Sequence, residues 1–236
     1  MEENKRVAVF IDAENISHEY AEKILSEVSN YGDVTVKRVY GDWSRMPQMK
    51  QWKDKTLSLA LVPMQHFAAV SGKNTGDISL IVDVLTCLFE KSIDVFCLAS
   101  SDSDYVRLVQ ELKERQKMVV GFGMEKSVAT VFVNSFSEFI YLDKVGPKAS
   151  KQAAKELLPP EKLLILREIV ENLIEHAGKA FYGSIGAEMR NKSSDFIPKN
   201  YGFKNLSEML GKTLGELGRY EIVGEGSKGT YLAPKK

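Results

Sequence analysis

The 236 residues, 44% hydrophobic and 27% charged, suffice for one large domain or two small ones and have the composition of a soluble globular protein. No apolar run approaches the roughly 20 residues of a membrane span, and Met1 to Arg6 leads into a strand without the apolar segment of a signal peptide. Net charge is zero but unevenly spread: from Asp143 onward 16 Lys/Arg face 12 Asp/Glu, while the preceding residues hold 16 against 20. An acidic front and a basic back point to a division of labour, with the back half suited to attract a polyanion. Cys87 and Cys97 lie in apolar runs and read as core residues of a reducing, cytoplasmic protein. Three scattered histidines and no cysteine cluster exclude a zinc pattern.

Arg6 to Ile11 is a continuous apolar strand, as expected of a parallel sheet covered on both faces, and it ends in Asp12-Ala13-Glu14-Asn15. Ala21, Ile24, Leu25 and Val28 have helical spacing, stopped at Asn30-Tyr31-Gly32. A second strand runs Val34 to Tyr40, a helix Met49 to Leu59, and a short strand Leu61 to Gln65, whose Pro63 suits a sheet edge. The polar loop Ser71 to Asp77 opens a helix with Ile78, Ile81, Val82, Leu85, Leu88 and Phe89 as apolar positions. Asp94 to Ala99 is a buried strand feeding Ser100-Ser101-Asp102-Ser103-Asp104, and Tyr105 to Lys117 is helical. Val119 to Gly123, a short helix near Ala129 to Ser135, and Phe139 to Leu142 complete the alternation. It predicts a doubly wound α/β domain with a mostly parallel sheet over residues 1–142.

Residues 143–160, with Gly146-Pro147 and Pro159-Pro160, read as a linker. From 161 to 236 three short helices and a terminal hairpin with a Gly-rich turn predict a small winged-helix domain.

Four carboxylates fall at comparable points of the front domain. Asp12 ends the first strand, Asp77 starts the helix after the third, and Asp102 and Asp104 follow the fourth. In a parallel sheet these points share one edge. Like charges converging there need a compensating cation, and an all-oxygen donor set suits Mg²⁺ or Mn²⁺ over zinc. Such sites polarise phosphoryl oxygens and activate water. Asn15 is placed to orient a phosphate or a metal-bound water, Lys73 to pair with a substrate phosphate, and Ser101 to contact substrate. Each acid also has a plain structural use: Asp12 and Asp102 as caps, Asp77 as a favourable charge at a helix N-terminus. Asp83, about 240° around the helix from Asp77, points elsewhere and reads as structural. His18 and His66 read as surface or core residues, and Trp43 and Trp52 as packing.

Val9 to Asn15, Lys73 to Asp77 with Val82-Asp83, and Ser100 to Tyr105 together resemble the NYN domain, a PIN-like nuclease fold, over about residues 5 to 142. The resemblance implies an RNA-cutting enzyme whose metal acids are Asp12, Asp77, Asp102 and Asp104, with Asn15 beside them. Phe181-Tyr182, Ser184 to Gly186, Asp195-Phe196 and Tyr201 to Leu206 resemble an OST-HTH (LOTUS) domain, a winged helix associated with RNA; Phe181 stands where that family often has Trp. Lys199, Lys204 and Lys212, with Arg219, form a candidate phosphate-facing stripe, although lysines on a helix usually make a solvated face. The expectation is a metal-dependent ribonuclease with a tethered RNA-binding domain, against the alternative of a catalytically inactive RNA-binding adaptor. A homodimer or a protein partner is expected through the winged-helix domain. Other enzyme classes fail at named residues. A haloacid-dehalogenase phosphatase needs Asp-x-Asp where Asp12-Ala13-Glu14 stands, a Toprim site begins with Glu, and a receiver domain needs Asp where Gln65-His66 follows the third strand.

Overall fold

The computed structural model describes residues 4–44, 49–65, 75–144, 158–214, 219–224 and 229–235, without the side chains of Thr75 and Gly76. The chain divides into two compact units, Met1–Leu142 and Asp143–Lys236.

In the first unit the strands β1 (Arg6–Asp12), β2 (Asp33–Gly41), β3 (Val62–Gln65), β4 (Val95–Ala99), β5 (Met118–Gly123) and β6 (Glu138–Tyr141) form one sheet. Its order is β3-β2-β1-β4-β5-β6, and all five pairings are parallel. The sheet is therefore wholly rather than mostly parallel. Helices α1 (Ala21–Val28), α2 (Lys50–Ser58), α3 (Thr75–Glu90), α4 (Val106–Glu114) and α5 (Thr130–Ser135) follow successive strands. All five residues of β4 are buried, as are six of the seven of β1. Such strands read as unbroken apolar runs because helices cover both faces. Pro63 sits in β3 at the sheet edge, where a missing N–H leaves no ladder bond unmade. Gly121 lets β5 pack closely, since a Cβ there would lie 2.4 Å from the Phe139 ring.

The chain order reverses between β1 and β4. In open α/β sheets this switch point leaves a crevice beyond the carboxyl ends of the strands. Asp12 ends β1, its register partner on β2 is Tyr40, and Ile11 pairs with Ala99 of β4.

Helix α3 buries Leu80, Val84, Cys87 and Leu88, whereas Ile78, Val82 and Phe89 point outward. The helix carries apolar side chains on two sides, and spacing alone does not say which side meets the sheet.

The second unit contains α6 (Pro160–Ala177), β7 (Ala180–Phe181), α7 (Tyr182–Lys192), α8 (Leu206–Leu214), β8 (Tyr220–Gly224) and β9 (Thr230–Pro234). The three strands order as β7-β9-β8, antiparallel. Gly178 ends α6 in the left-handed conformation at φ 71°, a common helix stop. Leu166, Ile169, Val170, Ile185, Met189, Leu210 and Leu232 fill the core, and Leu158 joins it from ahead of α6. Among the described residues these make three α-helices and a small antiparallel sheet, the winged-helix arrangement.

Candidate active site

The site grows from the way β1 ends. Asp12 is 5% exposed, and its Oδ1 accepts the backbone N–H groups of Glu14 (3.0 Å) and Asn15 (3.2 Å), turning the chain off the strand. Oδ2 accepts the Asn15 side-chain amide at 2.6 Å and the Ser100 hydroxyl at 3.1 Å. Ser100 is wholly buried, one residue past β4, and its Oγ also accepts the Asp102 N–H at 3.1 Å. The β1 and β4 ends are thus stitched together across the switch point.

Asp102 caps the 3₁₀ turn Ser103–Tyr105 by accepting the Asp104 N–H on Oδ1 at 2.9 Å. That turn delivers Tyr105, 1% exposed, whose hydroxyl donates to Asp77 Oδ1 at 2.7 Å. Burial pushes the Tyr105 hydroxyl well above the usual tyrosine range, and the charges of Asp12, Asp77 and Asp102 add to the rise. Asp77 holds the phenol directly, and the charges of Asp12 and Asp102 are felt there. Burial also raises the Asp12 carboxyl above its ordinary value, although all four of its hydrogen bonds oppose the rise. A group so placed holds its charge at a cost unless a cation joins it.

Not every candidate joins this group. Asp104 is exposed and lines a groove between α3 and α4. Asn15 is exposed but tied to Asp12. Ser101 turns its Oγ inward, where it is buried without a hydrogen-bond partner. Lys73 and His66 lie outside the described residues. Asp83 is structural: it accepts the Tyr40 hydroxyl at 2.8 Å and pairs with Arg38 at 3.0 Å. Trp52 is buried and donates its indole N–H to Ile16 O at 3.2 Å. Trp43 is half-buried beyond β2, its indole N–H on Met64 O at 2.9 Å. Sequence reasoning missed Ser100 and Tyr105 as partners of the acids. The available signal was a polar residue directly closing a buried strand, and an aromatic with a hydroxyl one turn beyond it.

Among the described residues no group of three or more His, Cys, Asp or Glu side chains is gathered closely enough to hold a metal ion. The carboxylates and hydroxyls of the site offer oxygen ligands, which suit a hard cation, and the Ser101 Oγ is an orphaned buried oxygen beside Asp102.

In the second unit the proposed lysine stripe is partly neutralised. Lys212 pairs with Glu208 at 2.8 Å, and Glu208 also accepts the Lys204 N–H. Lys199 lies in the 3₁₀ turn Pro198–Tyr201. Phe203 is core and Tyr201 rests edge-on against Phe196, so the Tyr201-Gly202-Phe203 step packs the domain. Lys179 lies over the rings of Phe181 and Tyr231, 4.9 and 4.7 Å from their centroids.

The NYN domain profile matches residues 6–143, and the OST-HTH/LOTUS domain profile matches residues 161–219. An uncharacterised protein of Methanocaldococcus jannaschii, MJ0482, is 25% identical over 178 residues, covering 71% of this chain and 69% of its own. A crystal structure of a Vibrio parahaemolyticus protein of unknown function, VPA0982, aligns with a TM-score of 0.51 at 18% identity. It covers 61% of this chain and 96% of that one, a likeness of fold.

Proposed function

On the premise that the chain belongs to the NYN domain family, with an OST-HTH/LOTUS domain behind it, we propose that it is a metal-dependent ribonuclease that hydrolyses RNA phosphodiester bonds. The observation that carries this reading is Asp12: a buried carboxylate at the switch point of a parallel sheet, whose charge, with those of Asp77 and Asp102, is felt at Tyr105. Asp12, Asp77 and Asp102 are the residues that would hold Mg²⁺ or Mn²⁺, with Asp104 at the exposed rim. When bound, such an ion polarises a phosphoryl oxygen and lowers the pKa of its water. Ser100 and Asn15 orient Asp12, and Tyr105 orients Asp77. The basic second unit is read as an RNA-holding module. Tethering it raises the effective concentration of substrate at the carboxylates without any new contact there.

The test is cleavage of RNA, with DNA of the same sequence alongside, by the purified chain in Mn²⁺ or Mg²⁺, beside Asp12→Asn and Asp102→Asn. RNA cleavage lost in both variants supports the reading; cleavage that survives both refutes it. A second reading, an RNA-binding adaptor without turnover, is favoured by one observation: all four acceptor positions of Asp12 are already engaged by protein donors. Thermal stabilisation by Mn²⁺ that requires Asp12 separates the two, since an ion bound only to the folded state raises its stability by mass action.

A further inference from the structure

The small sheet of the second unit carries aromatic rings on its outer face. Ala180 and Leu232, opposite each other on β7 and β9, are buried in the core. The next register pair, Phe181 and Tyr231, lies on the other face, because successive side chains of a strand alternate. An antiparallel sheet with one solvated face ordinarily sets polar residues there. Here the outer row reads Phe181, Tyr231 and, opposite Tyr231 on β8, Val223, all half-buried. The two rings meet edge to face with centroids 5.6 Å apart.

Cations share that face. Lys179 reaches over both rings. The same alternation sets Lys235 on the side of Tyr231 and Arg219 on the side of Val223, and the Lys235 N–H extends the ladder to Arg219 O at 3.0 Å. Both are exposed, and neither forms an ion pair among the described residues. Glu221 is the acid of this face, so three positive charges stand against one negative.

Rings on a sheet face, rimmed by cations, suit an unpaired nucleic-acid strand: bases stack on the rings while the cations follow the backbone. We propose that this face binds unpaired RNA, with bases stacked on Phe181 and Tyr231 and phosphates met by Lys179, Arg219 and Lys235. The inference rests on the reading of the second unit as an RNA-holding module and deepens it, naming the face used and the form of strand taken. Lys179 does not bar the rings. A cation over an exposed ring is worth about two- to fivefold in an equilibrium constant, and a stacked base about five- to a hundredfold. The flexible lysine stem lets the ammonium leave the ring for a phosphate as the base arrives. Duplex RNA keeps its base faces stacked inside the helix and has none to offer.

Fluorescence anisotropy of the full chain with a labelled oligoadenylate of about ten nucleotides, in EDTA, tests this. Chelation keeps the carboxylate site out of the measurement, so a failure here is distinct from a failure of the cleavage assay. The single strand should bind, and the same strand annealed to oligouridylate should bind roughly tenfold more weakly. Phe181→Leu and Tyr231→Leu keep apolar bulk but remove the aromatic face. Each should weaken binding by about tenfold, the effect of losing one stacked base. Lys179→Gln, Arg219→Gln and Lys235→Gln should each flatten the slope of log affinity against log salt by about 0.7. Circular-dichroism melting checks the fold of every variant, and the three charge variants carry the test should a ring variant unfold. Leu164→Ala, at an exposed apolar residue of α6, should leave affinity unchanged. Absence of binding, duplex held as tightly as the strand, or an affinity and salt slope that no substitution on this face alters overturns the proposal. Binding to phosphatidylserine vesicles without binding to RNA overturns it as well.

Discussion

Tyr105→Phe removes one oxygen from the centre of the carboxylate group and leaves the packing ring in place. The lost bond is short, 2.7 Å, and its acceptor is the carboxylate of Asp77. A hydrogen bond to a charged group contributes about 1.5–3 kcal/mol. Asp77 is half-buried, so water restores part of that, and a loss of about 1–2 kcal/mol is expected. For a domain of this size the corresponding fall in Tm is roughly 2–8 °C. Cleavage should fall by on the order of tenfold, because Asp77 loses the contact that orients it and small misplacements near reacting groups are costly. The control is Tyr40→Phe, which removes a 2.8 Å bond to Asp83. That variant should lose comparable stability while keeping its rate. Urea denaturation and single-turnover RNA cleavage, run side by side on both variants, make the comparison. If Tyr105→Phe matches the parent within about 0.5 kcal/mol and cleaves at the parental rate, the orienting role assigned to Tyr105 is wrong.

Three further outcomes are expected. Asp83→Ala strips Arg38 and Tyr40 of their shared partner; it should lower stability by about 1–3 kcal/mol, read from the urea midpoint, while Mn²⁺ stabilisation persists. In chelator-treated protein, burial holds the Asp12 carboxyl above its ordinary value of 3.8. Its charged form therefore weakens the fold at neutral pH, and the penalty lifts as pH falls through the raised value towards 3.8. The parent should gain stability relative to Asp12→Asn over that acid window, and melting curves that stay parallel with pH would contradict the assigned burial effect. Gly121→Ala should destabilise by about 1–3 kcal/mol through overpacking against Phe139 and Phe136, measured by thermal melting.

Much of the sheet was legible because β1, β4 and β5 are buried on both faces and therefore read as apolar runs ended by a polar residue. Asp12 and Asp102 stood out for the same reason: a carboxylate just past such a run has few structural uses beyond holding a turn, and Asp102 caps a 3₁₀ turn while Asp12 holds the turn off β1. What spacing could not supply was the lateral order of strands. Without it, the 88-residue separation of Ser100 and Asp12 hides their hydrogen bond. Tyr105 was hidden differently, since a buried ring looks the same in sequence whether its hydroxyl is idle or bonded to an acid. Which face of α3 meets the sheet was not legible, because Leu80 and Val82 are equally apolar and only the packed sheet distinguishes them. In the second unit the pairing of Lys212 with Glu208, one turn before it on the same helix, was legible from the helical repeat, whereas the Lys204 backbone N–H that Glu208 also accepts was not.

The stitch from Ser100 to Asp12 carries a consequence for how the protein comes into being and how it can be cut. Its two ends belong to opposite halves of the sheet, and β1 can hold Asp12 in place only once β4 has docked alongside it. Contacts so distant along the chain form only after the intervening loop entropy has been overcome. The carboxylate group is therefore a late product of folding. A nascent chain that has emerged only as far as α3 would already contain Asp12 and Asp77 yet lack the Ser100 bond that completes the setting of Asp12, which separates synthesis of the acids from assembly of the group.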